Sequence, residues 1–294
     1  MAHVDVELDH TGFIVTDLER GAAQWARLGF TLTPKSAQMG LNKAGEFEPW
    51  ATANHCAVFE QGYLELIGVH RPECFNPWTQ LLHAFEGAHI AAFKVCSADA
   101  TFAELQAHTN DFLAPVARRR DAPFLYPHGW GEKEMRFRNI FSDASKVAEA
   151  RYILIEHQTP DVLWQPKLLQ HDNGAIGFVS MSFCSENPAD CLKRLGLLGM
   201  LSQHAESSLA RIDCTDGGFV EVLSPSQFVQ RYPGMQPNAA DAISSCTVQV
   251  ANLQRTREHL RQAQIDYYDT GDGGPERIWI APSYTNGTVL EFIP

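Results

Sequence analysis

One acidic residue recurs at the end of four similar stretches of this chain, and that repeat limits the folds open to it. The residues are Glu65 in Leu64-Glu65-Leu66, Glu156 in Ile155-Glu156-His157, Glu221 in Val220-Glu221-Val222 and Glu291 in Leu290-Glu291-Phe292. Each lies among apolar residues in a strand-like run, where an unpartnered carboxylate is costly to bury. The first stretch shows what precedes the acid. Val6 to Val15 reads as a strand running into a helix, with Thr16 or Asp17 as its cap and Glu19 in the first turn. The helix runs from Leu18 to Leu28 and is closed by Gly29; strand-like runs follow at 30–33, 54–60 and 63–69. The unit is β-α-β-β-β, with His10 on its first strand and Glu65 on its last.

The same order repeats with a period above about 50 residues. A second unit opens at His89, has a helix from Ala98 to His108, and has strands at 115–120, 134–141 and 151–156. Between them, Asp121 to Lys133 carries Pro123, Pro127, Gly129 and Gly131 and reads as a long loop, with Tyr126 and Trp130 as a lid or as its packing. A connector spans 157–174. The third unit opens at Ala175, starts its helix at Pro188 and ends it before Gly199, and has strands at 208–214 and 219–223. The fourth opens at Ile243, has a helix from Leu253 to Ala263, and has strands at 277–281 and 288–292. This mixture predicts an α+β or α/β class with a mostly antiparallel sheet.

Composition narrows the function classes. The 294 residues are 45% hydrophobic and 20% charged, enough for two ordinary folded domains. No apolar run approaches the roughly 20 residues that span a bilayer, and the first residues do not read as a signal peptide. A net charge of −12 argues against a nucleic-acid partner; Arg118-Arg119-Arg120 reads as ordinary surface charge. Seven cysteines without a Cys-x-x-Cys pair point to a reducing compartment, hence the cytoplasm, without a disulfide framework or zinc cluster.

The residues Leu8-Asp9-His10, Asp17-Leu18-Glu19, Leu28-Gly29-Phe30, Gly62-Tyr63-Leu64-Glu65-Leu66 and Glu156 to Asp161 with Trp164 resemble the vicinal oxygen chelate superfamily, and within it the glyoxalase-like domain proteins. The resemblance covers essentially the whole chain. It implies an α+β fold of four βαβββ units paired into two cupped mixed sheets, with domains at 1–160 and 171–294. It also implies a divalent metal that chelates two oxygens of a small organic substrate. The expected activity is of the lyase or isomerase type; the alternatives are a ring-cleaving dioxygenase and a metal-free protein that sequesters a small molecule.

On that resemblance the metal ligands are His10, His89 and Glu156, with Glu65 as a fourth ligand or as the base that moves a proton. Two His and one carboxylate suit Fe or Mn; two His and two Glu suit a Lewis acid such as Zn, Ni or Co. The register of His89 is open. Aligning Phe93 with Phe13 sets Ile90 opposite His10, whereas a bulge near Ala91-Ala92 would return His89 to the inner face. In the later units Phe178 and Ser245 take the position of His10, so the second half is expected to be a degenerate copy. His55 reads as a pocket-lining base or as a hydrogen-bonded surface residue. Arg136 and Arg138 either hold an anionic substrate or are solvated. A homodimer is compatible with paired units.

Overall fold

The computed structural model describes residues 3–203, 210–270 and 275–294. The first unit is β1 (Glu7–Val15), α1 (Leu18–Arg27), β2 (Ser36–Leu41), β3 (Phe47–Val58) and β4 (Tyr63–Val69). After α2 (Thr79–Ala84) comes the second: β5 (Gly87–Lys94), α3 (Ala98–Leu105), β6 (Val116–Tyr126), β7 (Gly129–Phe141) and β8 (Arg151–His157). The third holds β9 (Ala175–Cys184), α4 (Pro188–Leu195), β10 (Met200–Gln203), β11 (Ala210–Asp213) and β12 (Phe219–Leu223), and is followed by α5 (Pro225–Arg231). The fourth holds β13 (Ala242–Val250), α6 (Leu253–Gln262), β14 (Tyr268–Asp269), β15 (Ile278–Ile280) and β16 (Val289–Ile293). Ser208 and Leu209, expected to begin a strand, lie outside the described residues.

The α+β class and the pairing of units are as the resemblance implied. Two eight-stranded mixed sheets form, in the orders β2-β3-β4-β1-β5-β8-β7-β6 and β10-β11-β12-β9-β13-β16-β15-β14. In each, the first strands of two units pair antiparallel at the centre, and each first strand pairs parallel with its own last strand. The helix-bearing faces of both sheets share one core: Tyr152 stacks on Phe183 at 6.1 Å and Phe30 on Phe292 at 6.1 Å between ring centroids. No helix among the described residues is long and apolar enough to cross a membrane.

The expected loop at Asp121 to Lys133 is instead a β-hairpin. Pairing continues unbroken from Val116↔Asn139 to Tyr126↔Gly129, and only Pro127 and His128 turn. Pro123 misled the reading: β6 is an edge strand, where a residue without an N–H is tolerated. The helix cap held, since Asp17 Oδ1 accepts the Arg20 N–H at 3.0 Å. Helix α1 then lies directly on β4. A Cβ built on Gly68 would come within 2.6 Å of Leu18 Cα, which is backbone and cannot yield. Gly68→Ala is therefore expected to lower stability by about 1–3 kcal/mol, read as a lower denaturant midpoint; an unchanged midpoint would refute this packing account.

Candidate functional site

The centre of the first sheet decides which side chains meet. Strand β1 pairs with β5 through two interruptions. Leu8↔Phe93 is followed by His10↔Ala92, leaving Asp9 as an extra residue; Gly12↔Ile90 is followed by Phe13↔Ala88, leaving His89 as an extra residue. A bulge re-aims the side chains beside it. The two interruptions are related by the exchange of the units. His10 corresponds to Ile90, Asp9 to His89, and Gly12 to Ala92. Because Gly12 pairs with Glu65 and Ala92 with Ile153, Glu65 corresponds to Ile153.

Asp9, His10 and Glu65 meet on the concave face with His157, the last residue of β8. The Asp9 carboxylate is almost wholly buried and takes two imidazoles: His10 Nδ1 donates to Oδ1 at 2.6 Å and His157 Nε2 donates to Oδ2 at 2.9 Å. Burial alone would raise the Asp9 pKa, but His157 and His10 outweigh it and hold the carboxyl far below its ordinary range. An ionised carboxylate accepts only, so both rings donate to it. The His10 Nε2 therefore points away, toward Glu65 Oε2 at 3.7 Å. Asn54 donates to the other Glu65 oxygen, and the Tyr63 ring stacks on His10 at 4.2 Å. Trp164 closes the group edge-on, 5.8 Å from Tyr63 and 5.1 Å from His157.

The other expected site residues lie elsewhere. His89 is the unpaired bulge residue; its ring stacks on Phe85 at 4.0 Å and its Nε2 meets the Phe85 carbonyl at 3.0 Å. The expected bulge near Ala91-Ala92 is at His89 itself, so Ile90 takes the place corresponding to His10. Glu156 faces the helices and accepts the Ala98 N–H at 2.9 Å, a favourable position at the α3 N-terminus. It is not the counterpart of the other three acids, being three residues beyond Ile153 and on the opposite face. His55 also faces outward, with Nδ1 at 2.7 Å from the Thr33 carbonyl. Arg138 pairs with Asp99 at 2.6 Å and Arg136 with Glu134 at 3.4 Å. On the neighbouring strand Arg120, which pairs with Met135 across the hairpin, turns inward and donates to Ser36.

Asp9, Asn54, Tyr63 and His157 were missed. Asp9 and His157 each adjoin a residue that was chosen, but two neighbours on a strand face opposite ways unless a bulge intervenes. Only the register tells which one faces inward.

The resemblance implies a metal centre that draws one ligand from the first and one from the last strand of each unit. Here those positions are His10 and Glu65 in the first unit but Ile90 and Ile153 in the second, and isoleucine has no donor atom. Among the described residues no three His, Cys, Asp or Glu side chains are arranged to hold an ion, and in the group around Asp9 both carboxylate oxygens are taken by the two imidazoles. The donor set does not fit a resident ion held in that way. In the second sheet the same positions are Ser180, Glu221, Ser245 and Glu291; the third-unit position is Ser180 rather than the expected Phe178. The two carboxylates are held by arginines. Arg231 lies 2.6 Å from Glu221 and 3.2 Å from Glu291, and Arg277 lies 2.6 Å from Glu291.

Two outcomes follow. Arg231→Met leaves the buried carboxylates short of a cation and is expected to cost about 3–5 kcal/mol; a loss below about 1 kcal/mol in urea unfolding would contradict it. The Asp9 contribution is complete above the ordinary carboxylate range near pH 4 and falls as pH drops through the lower folded value. Asp9→Asn is therefore expected to lower stability at pH 7 by about 3 kcal/mol and to flatten the acid limb of the stability profile. A variant with the wild-type acid limb would exclude this role.

The sequence profile described as glyoxalase-like domain matches residues 8–198. Among curated proteins there is no match. Solved structures share the fold at low identity. A hypothetical protein from Staphylococcus aureus aligns with a TM-score of 0.61 at 10% identity, over 98% of this chain and 99% of that one. A substituted 4-hydroxymandelate synthase from Streptomyces coelicolor aligns at 0.54 with 10% identity, over 98% and 92%. The Mn(II)-bound glyoxalase from Novosphingobium aromaticivorans aligns at 0.52 with 13% identity, over 98% and 81%. With the profile covering most of the chain, this protein belongs to the glyoxalase-like domain family.

Proposed function

We propose that the concave face of the first sheet is the site of a glyoxalase-like enzyme of the isomerase or lyase type, which moves a proton on a small oxygenated organic molecule with its own side chains. One observation carries this reading: Asp9 holds His10 so that Nε2 faces Glu65 Oε2 across 3.7 Å. That gap is too long for a hydrogen bond, and it leaves room for a reacting atom about 3 Å from both groups. A substrate group that enters this gap meets the imidazole nitrogen on one side and the carboxyl oxygen on the other. The pair is therefore suited to taking a proton at one substrate atom and returning it at another.

The neighbours support this division of labour. When His10 Nε2 takes a proton, Asp9 stabilises the resulting imidazolium, and His157 keeps Asp9 in place from the other side. Glu65, fixed by Asn54, carries the proton onward. Burial raises the Tyr63 phenol well above its ordinary value, reinforced by Asp9 and Glu65, so it stays protonated. Its hydroxyl is suited to donate to an oxygen that gains negative charge beside His10. Cys56 is raised likewise by burial and by Glu65, and remains an inert thiol.

A dioxygenase centre with two His and one carboxylate lacks a histidine at the second unit's first-strand position, where Ile90 stands, and the second-unit His157 spends its Nε2 on Asp9. The sequestering alternative has one observation in its favour: Tyr63 and Trp164 form an aromatic wall that needs no chemistry to hold a flat ligand.

The test is solvent-deuterium wash-in next to the carbonyl of small α-oxo acids and hydroxyketones, followed by NMR with chelator-treated protein. Wild type is expected to accelerate exchange for at least one compound, with about 100-fold or greater loss in His10→Ala and a clear loss in Glu65→Gln. Binding without exchange would favour sequestration, and exchange that requires added metal would overturn the metal-free assignment.

A further inference from the structure

A second feature of the same concave face lies away from the acid–base group. Arg151 opens β8 and is paired with Ile90, at the position that corresponds to Tyr63 in the first unit. Its side chain therefore projects to the concave side, as those of Ile153 and Ile155 do. The guanidinium lies 5.3 Å from the centroid of a Trp78 ring and 4.8 Å from that of Phe141. Its Nε is buried without a hydrogen-bond partner. No carboxylate forms an ion pair with it among the described residues. What stands near is a second cation: Arg118 also reaches the Phe141 ring, at 5.8 Å. Burial and the charge of Arg118 both push the Arg151 guanidinium down from its ordinary value.

Several other arginines are paired with acids. Arg231 and Arg277 in the second sheet meet carboxylates, and so do Arg138, Arg194 and Arg257. Taking a cation from water without a counter-ion is costly, and a second cation beside it adds to the cost. A guanidinium has a planar fork that matches a carboxylate with two parallel hydrogen bonds. The rings of Trp78 and Phe141 offer apolar contact to a flat body attached to it.

We propose that Arg151, assisted by Arg118 and flanked by Trp78 and Phe141, is a binding site for an organic carboxylate with a flat apolar body. The site is separate from the Asp9–His10–Glu65 group and does not depend on the reaction assigned there. A ligand at this position completes the charge balance that the chain leaves open. It also explains why an acidic protein keeps two guanidiniums beside one aromatic ring.

Benzoate is the probe, titrated into the full-length protein by calorimetry, with inorganic phosphate as the competitor. Saturable binding is expected in wild type. A loss of about tenfold or more is expected in Arg151→Met, a smaller loss in Arg118→Met, and unchanged binding in His10→Ala. Arg151→Lys keeps the charge but not the fork, and is expected to weaken benzoate too, which gives a reading if Arg151→Met does not fold. No saturable binding in wild type, or binding indifferent to both Arg151 variants, would overturn the site. Phosphate competing as well as benzoate would overturn the carboxylate class. Loss of benzoate binding in His10→Ala would overturn the separation from the acid–base group. Wash-in activity without benzoate binding would leave the proton-transfer reading standing and remove only this one.

Discussion

The antiparallel pairing of β1 with β5 carries the first half of the molecule. It joins two units whose edges would otherwise be unpaired, and its two bulges set the aim of Asp9 and His89. Leaving Asp9 out of the ladder turns it onto the same side as His10, where it meets both imidazoles. Leaving His89 out turns that ring toward Phe85 instead. One geometric device, used twice, thus gives a charged hydrogen-bonded triad in one place and an aromatic stack in the other. The difference lies in the residues at the corresponding positions.

The four units show how one scaffold tolerates different solutions at one place. The first has His10 with Glu65, the second Ile90 with Ile153, the third Ser180 with Glu221 and the fourth Ser245 with Glu291. A carboxylate there needs a partner. In the first sheet Asn54 and His10 face it, whereas in the second sheet Arg231, Arg277 and the Tyr232 hydroxyl surround Glu291. Where both polar residues are replaced by isoleucine, the surface joins the apolar cluster with Trp78, Leu81 and Leu82. At these two positions the second unit therefore gives the concave face to packing, and the acid–base group of that sheet rests on the first unit with His157.

Net charge is a poor guide to this surface. The chain is acidic as a whole, yet Arg118, Arg120 and Arg151 project from the concave side of the first sheet. The hairpin of β6 and β7 produces this sorting. Arg119 pairs with Arg136 and faces outward; its neighbours Arg118 and Arg120 pair with Phe137 and Met135 and face inward. A run of three arginines is thus divided by the strand period into one that faces away and two on the concave side, of which Arg118 is exposed and Arg120 half-buried.

The sequence by itself determined the βαβββ repeat, the α+β class, the family resemblance, and the place of His10 and Glu65 as polar residues on apolar strands. These follow from local information: apolar periodicity, helix caps, and the same residue type at the same point of each unit. Tertiary structure alone decided which neighbour of a chosen residue faces inward, because side chains alternate along a strand and one extra residue reverses the alternation. That is why Glu156 gave way to His157, His89 to Ile90, Phe178 to Ser180, and Arg136 and Arg138 to Arg118 and Arg120. Asp9 became a central residue for the same reason: its place opposite two imidazoles depends on a bulge and on the distant end of β8, and neither is encoded in the residues beside it.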